Sequence, residues 1–196
     1  MDVVEGHADI DDVGAFVAEL DAIGETHGVT IQAFDARYVV DREHLVRAVD
    51  LAARARERGD TIAEDFGVEI LLYAAGRRQI NRALAMGVCE GECPIVAVVV
   101  GEVAQQATSD HVNGDAGAVR GEGEGASVSA SGGTASDEAA AAADLRERLT
   151  PAETLGNYDE ERVRDFFDVT DTELAATEGA LADAIRERVA LLVVEK

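Results

Sequence analysis

The residue types best suited to chemistry sit in one stretch, 70–88 (ILLYAAGRRQINRALAMGV), where an apolar run leads into Gly76 and Arg77, Arg78 and Gln79 follow. Ile80, Ala83, Leu84 and Gly87 then recur at helical spacing, so the local reading is a buried strand, a glycine turn and a helix start at Arg77. First-turn N–H groups lack intrahelical partners and the dipole is positive there, which is the geometry of an anion site. Two arginines at such a terminus oppose the helix's own preference for acids, so an external anion would supply the compensating charge. On that helix Arg78 and Arg82 share a face. The competing explanation is that these arginines bridge neighbouring carboxylates, each exposed pair contributing at most about 1 kcal/mol. A second basic feature, Arg47, Arg54 and Arg58, lines one face of a helix capped at Asp41. It reads first as a solvated salt-bridge face and second as a secondary set of phosphate contacts.

Other constellations carry less. His7, His27, His44 and His111 fall in separate segments, and none accompanies a serine or cysteine in a nucleophile-elbow context. Cys89 and Cys93 form C-x3-C, half of a zinc site with no second pair to complete it, so neither a metal nor another cofactor is expected. The glycines at 121, 123 and 125 imitate part of a phosphate loop, but no strand leads into them and the interleaved glutamates would repel phosphate.

Charge bounds the partners. The chain of 196 residues has 17 Lys and Arg against 40 Asp and Glu, a formal net charge of −23, and 47% hydrophobic residues, enough for one core. Lys196 is the single lysine and aromatic residues make up 4%, a composition that looks adapted to a high-salt cytoplasm. In molar salt the Debye length falls to about 3 Å. Global acidity then does not exclude an RNA partner, because local contacts decide; no DNA partner is expected. The longest aliphatic run, 95–100, is far short of the roughly 20 residues that span a bilayer. The first residues also lack a basic patch followed by an apolar stretch. A cytoplasmic protein without membrane attachment is expected, its two cysteines held reduced.

The elements that must position these residues alternate between the two periods. Residues 1–5 read as a short edge strand, 11–24 as an amphipathic helix (Val13, Phe16, Val17, Leu20, Ile23) ended by Gly28, and the residues from Val29 as a strand. Leu45, Val49 and Ala52 form the core face of the helix capped at Asp41. Both 68–74 and 95–100 are apolar on either face and read as central strands. Composition breaks at 105–136, where Gly, Ser, Ala and Asp dominate and too little apolar surface remains to offset ordering entropy. That segment reads as a disordered, low-complexity insertion in a single domain made of 1–104 and 137–196. Beyond it, Thr150, Pro151 and Glu153 signal a helix start, and Thr170 with Glu173 another for a last helix carrying Leu174, Leu181, Ile185 and Val189. The predicted fold is α/β (α+β): a small mixed, largely antiparallel sheet packed with helices.

The stretch ILLYAAGRRQINRAL, followed by a glycine–hydrophobic pair and the strand at 95–100, resembles the small regulatory subunit of the KEOPS complex. Its eukaryotic counterpart is the p53-related-protein-kinase-binding protein. The likeness runs over about 68–100 and extends to the element order before it and to the terminal ERVALLVVEK, whereas the 105–136 insertion departs from the pattern. The resemblance implies a non-catalytic subunit that binds and stimulates the kinase/ATPase subunit. It also implies recruitment of tRNA through the 3′ CCA end for N6-threonylcarbamoyladenosine modification at position 37. The family's glycine, arginine, glutamine and isoleucine fall on Gly76, Arg78, Gln79 and Ile80, with Arg77 and Arg82 beside them as further tRNA-binding candidates; Ile80 has plain core as its alternative. The apolar tail residues Val189, Leu191, Leu192 and Val193 are the kinase-interface candidates, completion of the core being the alternative. Two other classes stay open on sequence: a regulatory α/β domain binding a small anionic metabolite, and a hydrolase using the surplus carboxylates.

Overall fold

The run from Ile95 to Val100 is apolar at every position, so it is satisfied only as a strand covered on both faces. The computed structural model, which describes residues 1–101, 135–176 and 180–192, places it in the middle of an antiparallel sheet of order β1-β3-β2. The strands are β1 (Asp2–Ile10), β2 (Val29–Asp35) and β3 (Gly91–Gly101). Register is fixed on both sides at Ala97, which faces Val4 of β1 and Ala33 of β2. The predicted short edge strand at the start of the chain is thus an edge strand that runs on to Ile10.

The helices are α1 (Val13–His27), α2 (Arg42–Arg58), α3 (Phe66–Ala74), α4 (Ile80–Ala83), α5 (Ala135–Glu147), α6 (Glu160–Phe167), α7 (Asp171–Ala176) and α8 (Leu181–Leu191), with 3-10 turns at Ala36–Tyr38 and Leu84–Met86. Period-two alternation along β3 divides the core. Cys93, Ile95, Ala97 and Val99 pack with Leu20 and Ile23 of α1 and with Ala141, Ala142 and Leu145 of α5. Val96, Val98 and Val100 pack with α2, α3, α6 and α8 through Leu45, Ile70, Phe167 and Ile185. The mixed α/β architecture is as the sequence implies. Among the described residues no helix is long and apolar enough to cross a membrane.

Helix starts follow the short polar side chains. Asp12 accepts from the Ala15 N–H at 2.9 Å and Asp41 from the His44 N–H at 2.8 Å, while Gly28 and Gly59 end α1 and α2 in the left-handed region. Three expectations are corrected. The stretch 68–74 belongs to α3 and not to a strand: Asp65 caps it by accepting from the Val68 N–H at 2.8 Å, and it is apolar all round because it is buried all round. Its one charged residue, Glu69, is fully buried and accepts from the backbone N–H groups of Ile62 and Ala63, Oε2 lying 3.0 and 2.7 Å away. The carboxylate thereby ties down the loop between α2 and α3.

Thr150, Pro151 and Glu153 start no helix. Thr150 instead forms a β-bridge with His7, and Glu5 Oε2 accepts from the Thr154 and Leu155 N–H groups at 2.9 and 2.7 Å. The next helix, α6, starts after Asp159. The third correction divides the predicted last helix. Thr170 Oγ1 accepts from the Glu173 N–H at 3.2 Å, but this starts the short α7, and Leu181, Ile185 and Val189 belong to α8. Of the insertion expected at 105–136, residues 105–134 lie outside the described residues, and Ala135 and Ser136 begin α5.

His44 joins three helices at the centre of the larger core. It is fully buried on α2, its Nε2 lies 2.8 Å from the Ala74 carbonyl at the end of α3, and its ring meets Phe167 of α6 edge-on at 5.9 Å. The Ala74 carbonyl is one of those a helix end leaves without an intrahelical donor, so a neutral imidazole donating from Nε2 satisfies it. Burial lowers the His44 pKa from its ordinary 6.5. The unfolded chain then binds the extra proton first, so this contribution to stability is complete above about pH 6.5 and is lost as pH falls below it. Urea denaturation should show stability falling below pH 6.5 by up to about 1.4 kcal/mol per pH unit, before Glu138, held below 4.5, titrates. A folded His44→Gln variant should lose that slope, and retention of the full slope would contradict the assignment.

Candidate nucleic-acid interface

The distinctive stretch is built from the end of α3. The Gly76 N–H donates to the Tyr73 carbonyl at 2.9 Å and the Arg77 N–H to the Leu72 carbonyl at 3.0 Å. This pair of bonds closes the helix with Gly76 at φ 58, a left-handed conformation that glycine adopts without strain. Gly76 is therefore the terminator of a helix, and the Arg77 N–H is already committed. The expected helix start at Arg77 is corrected accordingly: α4 begins at Ile80, lasts one turn, and passes into the 3-10 turn Leu84–Met86. A single turn gathers too few aligned dipoles to bind an anion by itself, and Arg78 precedes it, so Arg78 and Arg82 do not share a helical face.

The Arg77 side chain serves the fold. Its Nη2 donates to the Phe166 carbonyl and, at 2.7 Å, to Asp168 Oδ2, and its guanidinium lies 5.8 Å from the Phe166 ring centre. These groups form the C-terminus of α6, where a cation complements the helix dipole. The Arg77 hydrogen bond holds the Asp168 carboxyl below the usual carboxylate range, with Arg188 and Arg82 adding to the effect. Arg188 in turn donates to the Asp168 carbonyl at 3.1 Å and pairs with Glu173 at 2.9 Å, tying α8 to α6 and α7.

What remains on the surface is a mixed strip. Arg78, Gln79 and Arg82 are exposed, and Ile80 and Leu84, one turn apart, keep 45% and 55% of their surface in water. Ala83 and Met86 point the other way and are fully buried, anchoring the strip to the core. Ile80 is thus not core, and Leu84, which the sequence pattern assigns to the core face, joins it outside. Arg58, at the end of α2, comes into the same neighbourhood: the charges of Arg58 and Arg78 both bear on the Tyr73 phenol, opposing the rise that burial and Glu69 impose. Arg47 and Arg54 are exposed on α2, with Arg47 Nη1 donating to the Arg186 carbonyl at 3.2 Å.

The tail candidates separate. Val189 and Leu192 are buried at 0% and 2% and complete the larger core, against the expectation that they meet a partner, while Leu191 is 48% exposed on α8. Val193 lies outside the described residues. Among the described residues, one set with metal-ligand atoms converges away from the strip: Asp35, Cys89 and Cys93, whose ligand atoms lie within 4.8 Å of one another.

Comparison with known families gives one match: the model for the kinase binding protein CGI-121 covers residues 10–192. Comparison with curated proteins gives none.

The division between structural and surface arginines is measurable in stability. Arg77→Ala should cost about 1–2 kcal/mol in urea denaturation, because it strips a partly buried helix terminus of a charged donor. Arg54→Ala, at an exposed position of α2, should stay within about 0.5 kcal/mol of the parent. Equal costs for the two would contradict this division.

Proposed function

The chain belongs to the CGI-121 family of kinase-binding proteins, and from that premise we propose that it is the non-catalytic small subunit of a KEOPS assembly. In this reading it binds and stimulates the kinase/ATPase subunit. It also recruits tRNA through the 3′ CCA end for N6-threonylcarbamoyladenosine modification at position 37, working in the cytoplasm of a cell with high internal salt.

The observation that carries the RNA half of the reading is the exposed pairing of Ile80 and Leu84 with Arg78, Gln79 and Arg82. An unpaired RNA end offers base faces, base edges and phosphates close together. Aliphatic side chains support a splayed base, a guanidinium stacks on bases or forks onto phosphate, and an amide reads a base edge. With a net charge of −23, long-range attraction to RNA is absent, and binding must come from contacts of this local kind. Arg58 stands as an outlying phosphate contact.

Polarisation titrations with intact and CCA-trimmed tRNA in molar salt test the site. Trimming, Arg78→Glu and Ile80→Glu should each weaken binding at least about tenfold, each a loss of about 1.4 kcal/mol, and Arg58→Glu should do less. Equal affinity for the two tRNAs, or unchanged binding by a folded Arg78→Glu protein, would overturn it.

Stimulation of the kinase requires this chain to favour one conformation of its partner, and α8 offers Leu191 as an exposed apolar contact. Leu191→Asp should lower kinase capture in a pulldown and leave the circular dichroism of this chain unchanged. Leu192→Asp should instead unfold it, since a side chain 2% exposed cannot become charged without loss of packing. Undiminished capture by folded Leu191→Asp would remove α8 from the interface.

A further inference from the structure

Asp35 ends β2 and is buried to 2%. Its carboxylate accepts from Arg37 Nε at 2.8 and 3.0 Å and from Arg37 Nη2 at 2.7 Å, and Arg162 of α6 approaches it at 3.8 Å. The same Arg37 Nη2 donates to Cys89 Sγ at 3.2 Å. Cys93, fully buried in β3 opposite Ala8 of β1, places its sulfur 3.5 Å from the Cys89 N–H. Both sulfurs and a carboxylate oxygen of Asp35 therefore lie within 4.8 Å of one another.

Two chemistries use such a group, metal binding and thiol redox, and the arginine contacts choose between them. Arg37 is shared between the Asp35 carboxylate and the Cys89 sulfur, and Arg162 between Asp35 at 3.8 Å and Asp159 at 3.7 Å. A divalent metal would bring more positive charge beside two guanidinium groups and would have to displace Arg37 from both of its partners. Thiol chemistry at Cys89 leaves the Arg37 contacts to Asp35 and to the Cys89 sulfur in place. Reactive thiolates occur in such settings, partly exposed and beside an arginine, and Cys89 is half-buried. Cys93 differs: burial pushes its thiol up to about 12, so it remains protonated and sheltered.

We propose that Cys89 and Cys93 form a reversible dithiol–disulfide site whose oxidant is a hydroperoxide, Cys89 attacking and Cys93 resolving. With hydrogen peroxide, the Cys89 thiolate attacks one peroxide oxygen. The S–O bond forms, the O–O bond breaks, and the departing hydroxide takes a proton to become water, leaving Cys89 as a sulfenic acid. The Cys93 sulfur then attacks the Cys89 sulfur and gives up its proton. The S–S bond forms, the S–O bond breaks, and the released hydroxide takes that proton as a second water. Two thiols have supplied two electrons to the peroxide. Gly91, in the left-handed region at φ 80, supplies the turn that lets the chain between the two sulfurs fold back. The bond would tie the residues following the 3-10 turn Leu84–Met86 to the start of β3. A five-residue loop removes less entropy from the unfolded chain than a longer one, so thiol chemistry is the more direct readout of the site.

The test uses the full folded chain and hydrogen peroxide, with alkylation mapping and intact mass. Both thiols should disappear together, with the loss of two hydrogens and no dimer, and dithiothreitol should restore them. Cys93→Ser should stop at a sulfenic acid that dimedone traps on Cys89, whereas Cys89→Ser should leave Cys93 unmodified at the same dose. Arg37→Gln, if folded, should slow the reaction several-fold; if it does not fold, the two cysteine variants still decide. Disulfides only between chains, dimedone on Cys93 in the Cys89→Ser protein, or a Cys89 oxidation rate no faster in the folded chain than in urea would overturn the proposal.

Discussion

The constraint on which the structure depends is the double-sided burial of β3. From Ile95 to Val99 every side chain is fully buried, so each face of the sheet must be covered by helices, and strand alternation dictates which residues each cover receives. One cover is α1 with α5, the other α2, α3, α6 and α8. The second cover is thicker, and its inner residues are polar where they must be. Glu69 holds a loop by its backbone N–H groups, and His44 answers the Ala74 carbonyl. Both Glu69 carboxylate oxygens and the His44 Nε2 have partners, which offsets the cost of burying them.

That cover is also what presents the surface strip. The end of α3 reverses at Gly76 against the Arg188 carbonyl of α8, and Arg77 crosses to the end of α6. Ala83 and Met86 then sink into the core, which leaves Ile80 and Leu84 no direction but outward. The strip is thus a short irregular segment clamped at both ends by buried groups. Such support allows two aliphatic side chains to stay in water in an ordered position, where a free loop would fold them back.

Much of this was legible in the residues, because the signals were local. Gly28 ends α1, Asp41 caps α2, and the aliphatic run at 95–100 is a central strand, each through chemistry confined to a few neighbouring positions. The stretch 68–74 was not legible by periodicity, since a helix buried on all sides and a central strand share the same apolar run. The discriminating signal was Asp65, three residues before Val68, whose N–H it caps. Thr150, Pro151 and Glu153 failed for a different reason: the neighbouring backbone N–H groups at 154 and 155 are claimed by Glu5, a partner distant in sequence. At the site, Gly76, Arg78, Gln79 and Ile80 were found as a motif, but which arginine serves the fold depends on α6, about 90 positions away in contact terms, as the Arg77–Asp168 pair shows.

A chain this acidic cannot attract RNA at a distance, so a recognition surface on it must be small, partly apolar and placed by the fold. The measurement that bears most directly on this is hydrogen–deuterium exchange of the chain alone and saturated with tRNA, the tRNA being either intact or trimmed of its CCA end. The account predicts that intact tRNA slows exchange in the backbone from Arg78 to Leu84, with little change across α1, and that trimmed tRNA does not. Protection centred on α1 or α5, or identical protection by the two tRNAs, would contradict it.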